Sequence, residues 1–147
     1  MWLQLDRYSM TNPKESVILL QNKSVSEDQL SNSEKLAELV VKGVQEKKAK
    51  KVVKMDLRGV DGAIADFFVV AQADSDRQVQ AIAESVEIEV KKATSELPYS
   101  KEGKQLGEWV LIDYVDVVAH IFQTEKREFF GIEELWADAE FTEYDDV

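Results

Sequence analysis

Apolar side chains recur along this chain with two periods, and the changes of period divide it into elements. Leu36, Leu39, Val40, Gly43 and Val44 fall at helical spacing. Ser31-Asn32-Ser33-Glu34 precedes them in S-x-x-E form, a capping box in which serine and glutamate satisfy free backbone N–H groups. A helix is therefore predicted from Ser31 to about Lys48. The run Lys47-Lys48-Ala49-Lys50-Lys51 suits the negative end of its dipole and reads as a solvated helix end rather than a nucleic-acid patch. Val52 to Leu57 then reads as a strand, and Arg58-Gly59-Val60-Asp61-Gly62 as a glycine-bearing loop. Phe67-Phe68-Val69-Val70-Ala71 is continuously apolar, as in a strand buried on both faces.

The pattern then returns to helix. Ser75-Asp76-Arg77-Gln78 reads as a second capping box, followed by a stripe of Val79, Ile82, Ala83, Val86, Val90 and Ala93. Pro98 ends helical tendency before it, and a further strand near Tyr99 is left open. After a glycine-punctuated loop from Gly103 to Gly107, Trp109–Asp113 and Asp116–Phe122 are two β-rich runs joined by Tyr114-Val115, which predicts a hairpin. Glu125 to Trp136 is predicted partly helical. Strands interleaved with helices give an α/β (α+β) fold, a single domain over residues 31–137 with a mixed sheet flanked by helices. Residues 1–30 mix polar side chains with one short apolar cluster, Val17 to Leu20, and read as a disordered extension. Residues 138–147 carry Asp138, Glu140, Glu143, Asp145 and Asp146 with no base, and read as a solvated acidic tail.

Charge narrows the partners. The chain has 29 acidic and 18 basic residues, a formal net charge of −11. Phosphate neutralisation supplies most nucleic-acid affinity, so little direct nucleic-acid contact is expected and basic proteins are the better partners. The alternative is that acidity serves solubility. No apolar run reaches the roughly 20 residues that span a bilayer, so no membrane association is expected. With no cysteine, disulfides and thiolate chemistry are excluded, and the chain fits a reducing, intracellular compartment.

Catalytic patterns are sparse. There is no G-x-x-x-x-G-K-[ST], G-x-G-x-x-G or G-x-S-x-G. His120 is the single histidine and alternates with Val118 and Phe122 along a strand, which favours a structural role over a triad. Asp113 and Asp116 flank the hairpin turn. With Asp66 they could hold magnesium for nucleotidyl or phosphoryl transfer, but turn capping or a polar contact surface fits them better. No catalytic residue, metal or cofactor is assigned. Aromatic residues concentrate late, at Trp109, Tyr114, Phe122, Phe129, Phe130 and Trp136. Tyr114 in a turn is hard to bury and so reads as an interface anchor, whereas Phe129 and Trp136 read as core.

Four segments in order resemble one family. Ala65-Asp66-Phe67-Phe68-Val69-Val70 is similar to its A-D-[YF]-F-V-[IV] strand, and Ser75-Asp76-Arg77-Gln78-Val79-Gln80-Ala81-Ile82-Ala83 to its S-x-R-Q-V-x-A-I-A helix start. Trp109 to Phe122 resembles its W-x-L-x-D-Y-G-D-V-V-V-H-x-F hairpin, and Arg127-Glu128-Phe129-Phe130 with Leu135-Trp136 its closing motif. These span about Glu34 to Ala139 and resemble the ribosome-silencing factors, or Iojap-like proteins, of bacteria and organelles. The resemblance implies a nucleotidyltransferase-like fold without the catalytic apparatus. It implies a cytoplasmic, ribosome-associated translational repressor. Such a protein binds the large ribosomal subunit through its fourteenth ribosomal protein and blocks joining of the small subunit, or serves large-subunit assembly from the same site. It leaves open a homodimer of the free protein. The contact surface is expected at Trp109, Asp113, Tyr114 and Asp116, with Arg127, Phe130 and Trp136 beside it. Two positions depart from the family pattern. Val115 stands where glycine is usual, which predicts another turn type or a longer loop, because φ > 0 costs a β-branched residue dearly. Ala71-Gln72-Ala73-Asp74 replaces a glycine-bearing stretch.

Overall fold

The first helix begins where its capping box places it. In the computed structural model, which describes residues 30–147, Glu34 N–H donates to Ser31 Oγ at 3.2 Å and Ser31 N–H to Glu34 Oε1 at 2.9 Å. The expected N-terminal extension lies outside the described residues. Helix α1 covers Asn32–Glu46. It stops short of the lysines, which lie beyond it: Lys47 is its C-cap, and Lys50 and Lys51 open strand β1, Lys50–Asp56. Strand β2 is Phe67–Ala73 and helix α2 is Asp76–Thr94. The second capping box is only half formed: Gln78 N–H donates to Ser75 Oγ at 3.1 Å, but the Gln78 side chain turns to Lys47 O at 3.4 Å. Helix α2 ends at left-handed Ser95, before Pro98, and Ala93 in its last turn is exposed. Strands β3 (Ser100–Glu102), β4 (Trp109–Asp113) and β5 (Val117–Gln123) follow. Short helices α3 (Thr124–Phe130) and α4 (Ile132–Leu135) and strand β6 (Glu140–Glu143) complete the chain.

The strands form one mixed sheet in the order β3-β4-β5-β2-β1-β6. Only β2 and β5 run parallel, with Phe67 opposite Val117 and Gln72 opposite Phe122. The apolar run of β2 is thereby central, bonded to β5 on one side and β1 on the other. Period-two alternation sends its side chains to two cores. Phe67, Val69 and Ala71 face α1 and α2, together with Val110, Ile112, Val117, Ala119 and Ile121. Phe68 and Val70 face the opposite side with Met55, Leu57, Leu111, Val118 and Phe122, covered by Ala63, Ala65, Ile132 and Ala139. Sheet and helices thus make the expected α+β domain. Among the described residues no helix is long and apolar enough to cross a membrane.

The acidic C-terminus is not a free tail. Strand β6 pairs antiparallel with β1, Glu143 opposite Val53 and Glu140 opposite Asp56, while its four side chains stay exposed. Tyr144 N–H continues the ladder to Val52 O at 2.9 Å, and its hydroxyl donates to Glu38 Oε2 at 2.8 Å. Lys51 N–H donates to Asp146 Oδ1 at 2.9 Å. Charge foretold the solvated side chains. It could not foretell that the unpaired backbone of β1 would draw this segment in as its neighbour.

Candidate partner-binding surface

The β4–β5 hairpin carries most of the expected site residues, and its alternation sorts them. Trp109, Leu111 and Asp113 point to one face of the sheet, while Val110, Ile112 and then Tyr114 point to the other, beneath α2. Tyr114 is therefore buried, against the expectation that a turn would expose it. Its hydroxyl finds no hydrogen-bond partner among the described residues. Burial, and after it the charges of Glu87 and Glu96, hold its pKa above the usual phenol value.

The turn is of another type, as expected, but it does not avoid positive φ. Val115 has φ 75°, the left-handed region that the β-branched side chain was expected to avoid. Asp116 N–H donates to Tyr114 O at 2.9 Å, closing a γ-turn around Val115, and Tyr114 N–H donates to Val117 O at 2.9 Å. Asp113 Oδ1 accepts from Val115 N–H at 2.7 Å and holds the strained residue in place. Asp113 thus caps the turn, and Asp116 is exposed beside it. Val115→Gly removes this strain at a smaller entropic cost. It is expected to stabilise the domain by about 1 kcal/mol, a rise in Tm of roughly 3–5 °C in a thermal melt; an unchanged or lower Tm contradicts the strain.

On the Trp109 face the aromatic side chains converge. The Trp109 ring stacks on Phe122 at 5.1 Å and meets Phe130 at 4.7 Å between centroids. Phe129 meets Phe130 edge-on at 5.2 Å. Trp136 stands edge-on to Phe68 at 6.1 Å, half-buried at the border of the same core. Phe130 is 42% and Phe129 77% exposed, so Phe129 is a surface residue rather than the core residue expected. Leu135 is also exposed on the neighbouring helix α4. Phe129 and Leu135 were missed as surface residues. For Phe129 the available signal is adjacency: neighbouring residues on a helix lie about 100° apart, so Phe129 and Phe130 cannot both face the sheet.

His120 supports this cluster from below. It is fully buried and takes the Trp109 indole N–H on Nδ1 at 3.2 Å, which leaves its own ring proton on Nε2. Desolvation pushes its pKa down from 6.5 to about 3, so the ring is neutral. The unfolded chain takes up this proton near pH 6.5 and the folded chain only near pH 3. Stability is therefore complete above about pH 6.5 and falls as pH drops below it, by about 1.4 kcal/mol per unit. His120 is the only histidine in the sequence, so the window above the carboxylate range isolates it. Denaturation of the wild type is expected to lose about 2 kcal/mol between pH 6.5 and 5. His120→Gln, which keeps an acceptor for Trp109, is expected to stay nearly level. An equally sloped variant contradicts the assignment.

Arg127 is not at the surface. Its guanidinium is buried between β1, β2 and α4, with Nε and Nη2 on the Glu133 carboxylate at 2.8 and 3.1 Å. Its Nη1 donates to Lys51 O at 2.7 Å and Gln72 Oε1 at 3.1 Å. The structure thus gathers Trp109, Phe130 and Trp136 on one face with Asp113 at its end and Asp116 in the adjoining turn, and places Tyr114 and Arg127 behind it as supports. Of the carboxylates Asp66, Asp113 and Asp116, Asp113 is engaged by the turn, and Asp66 and Asp116 are linked through backbone, Asp66 N–H donating to Asp116 O at 2.8 Å. Among the described residues no group of three or more histidine, cysteine or acidic side chains is placed to hold a metal.

Residues 30–147 match the family model described as "Ribosomal silencing factor during starvation", RsfS. The ribosomal silencing factor RsfS of Halalkalibacterium halodurans is 40% identical over 121 residues, 80% of this chain and 98% of that protein. A mouse protein named for mitochondrial assembly of the ribosomal large subunit is 34% identical over 74 residues, 48% of this chain and 32% of its own length. The crystal structure of a Chromobacterium violaceum protein superposes with a TM-score of 0.68 at 32% identity, covering 73% of this chain and 88% of that one. The chain belongs to the ribosomal silencing factor family, RsfS.

Proposed function

We propose that this protein binds the large ribosomal subunit through its fourteenth ribosomal protein and blocks joining of the small subunit. The observation that carries the reading is the half-exposed Trp109–Phe130 pair, set on a rigid sheet where the Trp109 strand ends about 13 Å away at Asp113, with exposed Asp116 past the turn. A buried aromatic anchor with an acidic rim is the complement of a basic protein surface. Phe129 widens the apolar centre, Trp136 flanks it, and Tyr114 and Arg127 hold the hairpin and α3 in position from beneath. The action is steric and needs no cofactor. It places the protein in the cytoplasm, on ribosomes.

Phe130→Ala combined with Asp116→Lys alters two exposed side chains, so folding is retained by circular dichroism. Affinity for large subunits is expected to fall about 30-fold or more, the effect of losing an aromatic hot spot. Unchanged affinity in the folded variant removes the assigned surface. Tyr114→Ala is unsuitable for this purpose, because a buried aromatic lost from the core costs about 3 kcal/mol or more of stability. A role in large-subunit assembly is the second reading, favoured by the name of the mouse relative. It differs in outcome: cells lacking the protein then accumulate incomplete large subunits during growth, whereas a silencing factor leaves them complete.

A further inference from the structure

The corner where α1 passes into β1 gathers four lysines, Lys47 and Lys48 in the turn and Lys50 and Lys51 at the start of the strand, all exposed, around the fully buried Ala49. Ala49 N–H donates to Val44 O at 3.1 Å and pins the loop. Two of the four hold left-handed backbone, Lys48 at φ 58° and Lys51 at φ 52°. Glycine or asparagine holds such conformations at less cost, yet the chain places lysine at both. The corner is fixed from two sides, with Lys51 O bonded to the Arg127 guanidinium and Lys51 N–H to Asp146.

Its charges are also unspent. Lys42, Lys54, Lys92, Lys101, Lys104 and Lys126 each reach a carboxylate oxygen at 2.6 to 3.8 Å. Among the described residues Lys47, Lys48, Lys50 and Lys51 form no ion pair. Position adds direction. Lys50 lies opposite Gln72, Gln72 opposite Phe122, and Phe122 opposite Trp109. Three strand spacings put Lys50 about 14 Å from Trp109 along one row of the sheet. Lys50 pairs with Gln72 just ahead of a register irregularity between Lys50 and Val53, and Lys51 O, bonded to the Arg127 guanidinium of α3, sets the corner on the side of the sheet that carries Phe130.

Resting on the reading above, we infer that this lysine corner contacts the phosphodiester backbone of ribosomal RNA beside the protein that covers Trp109 and Phe130. Lysine meets phosphate as a mobile point charge and needs no shaped pocket. The rest of the chain is acidic enough to repel RNA, so the corner also fixes which side of the bound protein faces it. Phosphate contacts of this kind position a protein without reading sequence.

The test compares the wild type with K47Q/K48Q/K50Q/K51Q and with a control, K35Q/K42Q/K91Q/K92Q, that changes net charge equally on exposed helix positions. Binding to large subunits is measured across a salt series, and to the isolated fourteenth ribosomal protein without RNA. The corner variant is expected to bind subunits at least about tenfold more weakly at low salt. Its slope of log affinity against log salt should be shallower by up to about 3, from 0.7–0.9 per phosphate contact. The control and the isolated-protein affinities should match wild type. An unchanged slope, an equal loss in the control, or an equal loss on the isolated protein each overturns the inference; the last assigns the corner to an acidic protein face. A wild type that binds neither subunits nor the isolated protein removes the proposed function first, and the inference with it.

Discussion

Arg127→Ala is expected to be the most destabilising single change on the Trp109 side of the sheet. The guanidinium is buried and donates to Glu133, Lys51 O and Gln72 at once. Its removal leaves a half-buried carboxylate and a strand carbonyl without their donor. Breaking such a pair from one side costs about 3–5 kcal/mol, well above the worth of a surface ion pair. Arg127→Lys should recover little, because a single ammonium cannot reproduce the two-pronged contact with Glu133 while holding Lys51 O. Denaturant unfolding measures both variants. A loss under about 1 kcal/mol for Arg127→Ala shows that the network is spent against solvation and that Arg127 is free to serve a partner instead.

Gly43→Val is expected to be comparably severe on the other side. Helices α1 and α2 touch at this glycine: a Cβ there stands 2.7 Å from Val86 Cα and 3.2 Å from Val86 N. Both are backbone atoms, so no side chain can rotate away, and Ser85 Oγ donates to Gly43 O at 2.7 Å across the same crossing. Helix propensity changes little between glycine and valine beside the overpacking, which forces the helices apart and costs about 3 kcal/mol. Unfolding that is unchanged in Gly43→Val shows that α1 can shift along α2. The aromatic face lies across the sheet, so a folded remainder of this variant should still bind its partner.

Much of the fold was legible because local signals and tertiary demands agree. The apolar run at Phe67–Ala71 reads as a strand buried on both faces, and β2 is central in the sheet. The Ser31 capping box fixes where α1 begins, and Val79, Ile82, Ala83, Val86 and Val90 are all buried as their spacing requires. The misses share a cause. The pairing of β6 with β1 depends on an edge far away in sequence, and side-chain charge does not report backbone demand. Tyr114 was read from its place in a turn, whereas strand parity with Val110 and Ile112 decides its burial. Val115 was expected to refuse a left-handed conformation, but the Asp113 side chain and the paired strands on either side impose it. Arg127 resembled a surface cation, and only the proximity of β1, β2 and α4 shows that its partners are internal. The aromatic face is half legible in the sequence, which points to Trp109, Phe130 and Trp136 and misplaces the exposed Phe129 in the core.

The most direct test is sedimentation of the purified protein with separated ribosomal subunits, followed by mixing of the subunits under joining conditions. Co-migration with the large subunit alone, together with fewer joined ribosomes as the protein is added, is the predicted result. Absence of large-subunit binding at low salt and excess protein, or binding that leaves joining unaffected, contradicts it.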